Sequence, residues 1–200
     1  MLIGNFFKKI NPEFKNHYFS GINFNSQSCK KNDIFFAIKG NKYDGNKFVF
    51  DVISKGAKTI IHDKKFQGFK NDILYLSFSN VRKVLAELSY NLFNPKINNL
   101  IAVTGTNGKS SICNFYFQIL NLNKKKVASL GTLGIKTQSK NFTISNTTMN
   151  PLQLSKYLKY LSNKKIGNVI LEASSHGLKQ HRLDGLKFKK GIFTNLSHDH

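Results

Sequence analysis

Lys109 and Ser110 stand directly behind a short glycine-bearing turn, Gly105-Thr106-Asn107-Gly108, and ahead of Ser111. That order of residue types suits a phosphate-binding loop. Glycines let backbone N–H groups come close to phosphate oxygens, and a following helix adds the positive end of its dipole. The lysine would reach β- and γ-phosphates, and the serine hydroxyl would sit on Mg²⁺. A structural turn ahead of a helix is the plainer alternative, and the adjoining Lys-Ser pair weighs against it. A loop of this kind also needs a carboxylate for the metal. Beyond Leu100 the acids are Glu172, Asp184 and Asp199. Glu172 closes the apolar run Asn168–Leu171, and in parallel sheets ligands gather at strand C-termini. It is therefore the candidate metal ligand, against the simpler reading of a strand-end residue facing water.

Four of the six histidines fall late in the chain, at His176, His181, His198 and His200. No cysteine is near them and the spacing matches no structural zinc framework. His181 and His198 read as surface or strand-end residues, and His176 as part of a turn, Ser174-Ser175-His176-Gly177. His200, just past the strand candidate Gly191–Asn195, is a candidate second metal or phosphate contact. Asn146-Thr147-Thr148 precedes a helical pattern and by itself reads as a helix cap, because Asn and Thr satisfy free N–H groups. Ser174, Gln180 and Arg182 follow Glu172 closely enough to hold an anionic substrate beside the metal, and Arg suits bidentate carboxylate recognition.

These residues need a framework that brings strand ends together. Leu100–Val103 is apolar, Ser110–Leu122 has helical spacing, and Lys126–Leu130 returns as a strand, a βαβ crossover. The Phe115 and Phe117 face of that helix reads as core packing. Leu154, Leu158 and Leu161 mark another helix over 152–161. Before this unit, strands are predicted at Asp33–Ile38, Lys58–His62 and Ile73–Phe78, with a polar loop over 40–45. Helices are predicted at 46–55, with Phe48, Val49, Val52 and Ile53 on one face, and at 81–93. Asn94-Pro95 ends the second. The expected fold is α/β: a small N-terminal α/β domain over 1–96, then the first part of a mostly parallel-sheet P-loop domain over 97–200.

The chain has 200 residues, 40% hydrophobic, and a formal charge of +21 from 31 Lys and Arg against 10 Asp and Glu. The lysines are scattered rather than gathered on one segment. They indicate compositional drift, with a field favourable to phosphate-rich ligands, rather than a nucleic-acid site. Cys29 and Cys113, far apart, read as reduced buried thiols of a cytoplasmic protein. No secretion signal and no run of the ~18 apolar residues needed for a membrane span is present.

Several blocks together resemble the Mur ligases, the amide ligases of peptidoglycan precursor synthesis. They are GTNGKSS (105–111), GTLG (131–134), NTT (146–148), EASSHGLKQHR (172–182) and FTNLSHDH (193–200). FNSQ (24–27), DIFFAIKGNKYDGNKFV (33–49) and ISKGA (53–57) are similar to the family's uridine-nucleotide-binding domain, with Asn25-Ser26-Gln27 where the family usually has Asp-Ser-Arg. The resemblance spans roughly residues 22 to 200 and is most specific for the member adding the third stem-peptide residue, diaminopimelate or lysine. It implies ATP phosphates on Gly105, Thr106, Asn107, Gly108, Lys109, Ser110 and Ser111, and Mg²⁺ near Ser110, Glu172 and His200. It implies UDP contacts from Phe24, Ser26, Asn41, Lys42 and Tyr43. It further implies muramoyl-dipeptide contacts from Asn146, Thr147, Thr148, Ser174, Gln180 and Arg182. The implied reaction activates a carboxylate as an acyl phosphate that an amino acid then captures, in a cytoplasmic monomer. Lys109, Glu172 and His200 would carry the catalysis. In the family the chain continues through a carbamylated lysine, adenine contacts and an amino-acid-binding domain, so a truncated, binding-only remnant is the alternative. A folate-type ligase fits less well, since Lys109 and Ser110 are adjacent and a uridine-binding stretch is present.

Overall fold

The computed structural model describes residues 1–40, 43–144 and 146–197. The chain forms two compact units, Met1–Leu88 and Ser89–His200. The predicted boundary between residues 96 and 97 follows a helix, whereas the two units divide inside it.

The first unit holds a five-stranded sheet. Its strands are β1 (Gly21–Asn23), β2 (Asp33–Phe36), β3 (Thr59–His62), β4 (Gly68–Lys70) and β5 (Ile73–Ser77), in the order β1-β2-β3-β5-β4. All pairings are parallel except β4 with β5. β2 and β3 are buried along their whole length, which is why both read as continuous apolar runs rather than alternating ones. β1 and β4 carry only three residues each, too few for a periodic signal, and both lie at sheet edges. The helix expected over 46–55 is shorter: a 3-10 turn at Gly45–Phe48 leads into α1 (Val49–Ser54). Asp44 caps the 3-10 turn by accepting from the Asn46 N–H, and Gly56 at φ +90° follows the helix. Val52 joins a core of Cys29, Phe35, Ala37, Ala57, Ile60 and Ile73. α2 (Val81–Phe93) buries Val81, Leu85 and Leu88 and stops before Asn94 at φ +41° and Pro95.

The second unit has six strands among its described residues. They are β6 (Asn99–Thr104), β7 (Val127–Gly131), β8 (Gly134–Thr137), β9 (Asn141–Phe142), β10 (Asn168–Glu172) and β11 (Lys190–Phe193), ordered β11-β6-β10-β7-β8-β9. The β11, β6, β10 and β7 pairings are parallel, and β8 and β9 add an antiparallel margin. The α/β fold expected from the alternation of elements is what the chain adopts. α3 (Lys109–Leu122) links β6 to β7 and packs on β7, β10 and β6. α4 (Pro151–Asn163) buries Leu154, Leu158 and Leu161, the predicted stripe. Its cap is Asn150, whose side chain accepts from the Gln153 N–H at 2.9 Å, and Pro151 takes the first helical position, where no N–H is needed.

Two expectations change. The Asn146-Thr147-Thr148 triplet does not cap α4, because Asn150 does. Phe115 on α3 is 58% exposed and not core; the buried side chain of that helix is Cys113, with Ile112 and Tyr116 half-buried beside Val103 and Ile170.

Candidate functional site

Register explains why distant residues meet. Glu172, the last residue of β10, pairs with Val103 of β6, and Leu171 is flanked by Leu130 of β7. Three parallel strands therefore end side by side: β6 runs into the Gly105–Gly108 turn, β10 ends on Glu172, and β7 ends on Gly131 before Thr132. Ligand sites form at such a carboxyl edge. A cleft of ≈ 580 Å³ opens there, lined by the turn, Lys109, Ser110, Ser111, Thr132, Thr147, Glu172 and Ser174.

The turn has the conformation its glycines permit. Gly105 has φ +131° and Gly108 φ +83°. A Cβ at Gly105 would run into the Thr194 side chain and the Asn195 backbone, so glycine is required by space as well as by φ. Gly108 is the N-cap of α3, whose first four N–H groups have no partner within the helix and whose dipole places partial positive charge at the cleft. Lys109 folds back over the turn, its Nζ donating to the carbonyls of Gly105 at 2.6 Å and Thr106 at 2.7 Å. The ammonium is thus held against the loop.

Glu172 is 2% exposed. Burying a carboxylate is costly unless it is hydrogen-bonded, and Thr132 supplies both bonds. Its N–H donates to Oε1 at 2.9 Å and its hydroxyl to Oε2 at 3.1 Å. The Thr132 hydroxyl in turn meets that of Thr147 at 3.0 Å. Gly131 leaves room for the carboxylate, since a Cβ there would overlap it. Thr148 is buried behind the strand end, donating to the Glu172 carbonyl and accepting from the Ser174 N–H, both at 2.9 Å. Ser174 caps α5 (Ser175–Lys179) by accepting from the Gly177 N–H. His176, expected in a turn, lies in that short helix with its ring against the Gln180 amide. His181 faces Asp184 at 2.9 Å.

Among the predicted site residues, Lys109, Ser110, Thr147, Glu172 and Ser174 share the cleft. Asn146, Gln180 and Arg182 do not line it. The Arg182 guanidinium donates to Gln180 Oε1 and to the Thr148 carbonyl, while the Tyr90 hydroxyl donates to the Arg182 carbonyl at 2.7 Å. This side chain braces the 146–148 segment against the residues after α5. In the first unit, Phe24 and Ser26 follow the C-terminal end of β1 and Tyr43, 74% exposed, follows β2, its parallel neighbour. Asn25 caps the 3-10 turn Ser26–Ser28 by accepting from the Gln27 N–H at 3.0 Å, a role an aspartate would fill equally. Asn41, Lys42 and His200 lie outside the described residues.

Residues without a role assigned from the sequence include Thr132, which lines the cleft, and Thr194 and Asn195, which bond to its turn. Thr132 follows a strand C-terminus in a parallel unit, a signal that could have found it. Thr194 and Asn195 reach the turn only through sheet pairing. A second cavity, ≈ 440 Å³, lies at the start of β6 among Asn98, Leu100 and Lys187 and holds no predicted site residue.

The metal candidates around the cleft are oxygen donors: the Glu172 carboxylate and the hydroxyls of Ser110, Thr132, Thr147 and Ser174. Hard oxygen donors suit Mg²⁺ rather than zinc. Among the described residues no group of three His, Cys, Asp or Glu side chains forms a closed metal cage. Mg²⁺ that keeps waters and phosphate oxygens needs no such cage. On α3, burial and then the Glu172 charge push the Cys113 thiol up to about 12; in the first unit, burial pushes Cys29 up to about 11. Both thiols are free and buried.

Residues 103–200 match the Mur ligase middle domain, and residues 18–91 match the Mur ligase family catalytic domain. The chain belongs to the Mur ligase family. It is 38% identical over 195 residues to the UDP-N-acetylmuramoyl-L-alanyl-D-glutamate–2,6-diaminopimelate ligase of Rickettsia prowazekii (strain Madrid E), an alignment covering 96% of this chain and 40% of that protein. A solved structure of a ligase with the same name aligns with a TM-score of 0.83 at 26% identity, over 100% of this chain and 41% of the other. The MurF ligase from Thermotoga maritima, solved in complex with ADP, shares the fold at a TM-score of 0.57 and 21% identity, over 87% of this chain and 37% of that one. This Mur ligase chain thus spans about 40% of the length of the curated relative it matches.

Proposed function

We propose that this chain carries the uridine-nucleotide-binding part and the ATP-phosphate-binding part of a cytoplasmic, ATP-dependent amide ligase of peptidoglycan precursor synthesis. The substrate reading is UDP-N-acetylmuramoyl-L-alanyl-D-glutamate, with diaminopimelate as the incoming amine, the two compounds for which the similar ligases are named. The observation that carries the proposal is the convergence of Lys109, Ser110 and Glu172 on one cleft at adjoining strand ends.

Residues 1–96 would hold the uridine nucleotide through Phe24, Ser26 and the 41–43 loop. Residues 97–200 would hold the triphosphate on the Gly105–Ser111 turn and the α3 N-terminus. Lys109, already poised over the turn, would exchange loop carbonyls for β- and γ-phosphate oxygens. Ser110 and Glu172, with His200, would hold Mg²⁺, which when bound neutralises charge on the transferring phosphoryl group. Thr147 and Ser174, with Thr148, Asn146, Gln180 and Arg182 behind them, would present the muramoyl-dipeptide carboxylate to the γ-phosphate. That carboxylate would attack the γ-phosphorus and expel ADP to give an acyl phosphate, and the amine would then displace phosphate to leave the amide. The protein's part is positioning and electrostatic stabilisation rather than proton transfer.

Phosphate release that requires ATP, the UDP-dipeptide and diaminopimelate together supports ligation. Saturable ATP and UDP-dipeptide binding without turnover supports the binding-only reading. Absence of both sinks the proposal. Lys109→Ala is expected to reduce ATP affinity at least tenfold, on the scale of a lost charge-assisted contact of about 1.5–3 kcal/mol, with an unchanged circular dichroism spectrum. Unaltered affinity would remove Lys109 from the site.

A further inference from the structure

The segment leaving edge strand β11 is bonded to the phosphate-loop turn at several points. Parallel pairing sets Phe193 beside Thr104, and the Thr194 N–H continues the ladder to the Thr104 carbonyl at 2.9 Å. Asn195 then contacts the turn twice. Its carbonyl accepts from the Thr106 N–H at 3.0 Å, and its side-chain Oδ1 accepts from the Asn107 N–H at 3.0 Å. The Thr194 hydroxyl donates to the Asn107 carbonyl at 2.7 Å, and the Ser197 N–H donates to the Thr106 hydroxyl at 3.0 Å. The contact is close enough that Gly105 has no room for a Cβ.

A phosphate loop works by aiming a chosen set of N–H groups at one point. Here Asn195 takes up the N–H groups of Thr106 and Asn107. The N–H groups of Gly108 and the first turn of α3 lie at the helix N-terminus, where a phosphate is favoured. Asn195 itself does not line the cleft. Its effect on a ligand must pass through the shape of the turn.

We infer that Asn195 is a positioning residue for nucleotide binding: its side-chain oxygen holds the Asn107 N–H and thereby presets which loop amides meet the phosphates. This rests on the nucleotide reading proposed above. Preorganisation of this kind removes an ordering cost from binding, so loss of the side-chain bond weakens ligand without dismantling the sheet.

The test measures ATP affinity with Mg²⁺ by calorimetry, and backbone amide exchange by NMR, on the 200-residue chain, Asn195→Ala and Asn195→Asp. Removing one hydrogen bond is expected to weaken ATP about three- to tenfold in Asn195→Ala. The Asn107 amide should then exchange faster while amides of β6 and β10 keep their protection. Asn195→Asp, which retains an oxygen acceptor at the same reach, should restore protection of the Asn107 amide. Unchanged ATP affinity in Asn195→Ala overturns the inference. So does a loss accompanied by general deprotection of β6 and β10, since that reports unfolding, and so does failure of Asn195→Asp to protect Asn107. No ATP binding by the unaltered chain is a distinct result, because it overturns the nucleotide reading itself.

Discussion

At the scale of single residues, burial decides which groups keep their ordinary chemistry. His62 on β3 is 5% exposed, its ring edge-on to Tyr75. Burial holds its pKa below the usual imidazole value, opposed more weakly by the Phe66 carbonyl and the Asp63 charge, while Lys64 adds to the lowering. His17 is lowered by burial as well, with the Lys58 carbonyl opposing and the Lys58 charge assisting. Both belong to the first unit. Lowered folded values mean the unfolded chain binds more protons as pH drops through about 6.5, so stability rises with pH in that window. The first unit is therefore expected to be less stable at about pH 5.5 than at pH 7.5. His62→Phe should flatten that dependence in urea unfolding followed across the range. An unchanged slope in the variant would assign the effect elsewhere.

At the scale of elements, the turn between β6 and α3 has the tightest demand. Gly105 combines φ +131° with a missing Cβ that Thr194 and Asn195 would otherwise meet. Gly105→Ala must either strain the backbone or push the β11 extension away. The cost is expected to be about 1–3 kcal/mol, read as a lower melting temperature together with loss of ATP binding. Gly108→Ala has φ +83° but open space around it, with Thr194 no nearer than 4.0 Å. It should cost only about 1–2 kcal/mol, the left-handed penalty. Equal losses at the two positions would show that the contact with Thr194 and Asn195 contributes nothing. The helices were readable because α2 and α4 bury regular stripes. The helix at 46–55 was not, because a 3-10 turn consumes its first residues.

At the scale of the whole molecule, charge is the dominant property. With 31 basic and 10 acidic side chains, the chain carries +21, and the resolved ion pairs do little to offset it. Of the three among the described residues, two are partly exposed i,i+4 pairs and the third joins His181 to Asp184. Self-repulsion destabilises a compact state of high net charge, and added salt screens it, with a Debye length near 10 Å at 0.1 M falling to about 3 Å at 1 M. The melting temperature is expected to rise on going from about 0.02 to 0.5 M NaCl, while ATP affinity falls over the same range. A flat melting temperature would mean the scattered lysines lie too far apart to repel strongly. The exposed apolar residues Phe115, Ile119 and Leu122 on α3 follow helical spacing, as a buried stripe would. Sequence periodicity therefore could not tell which face was covered.

The sequence by itself determined the α/β class, the strand–turn–helix around Lys109 and the Mur ligase resemblance. Each rests on local order: a glycine turn, an apolar run of a given length, a period of about 3.6 residues. Glu172 was legible for the same reason, as the acid ending an apolar run. Only the tertiary structure decided that Thr132 would supply both hydrogen bonds to that carboxylate and that Asn195 would hold the Asn107 N–H. It likewise turned Arg182 toward Gln180 and the Thr148 carbonyl rather than into the cleft. Those partners stand 40, 88 and 34 residues apart along the chain, and strand register and packing brought them together. Neither leaves a mark on the spacing of neighbouring residues.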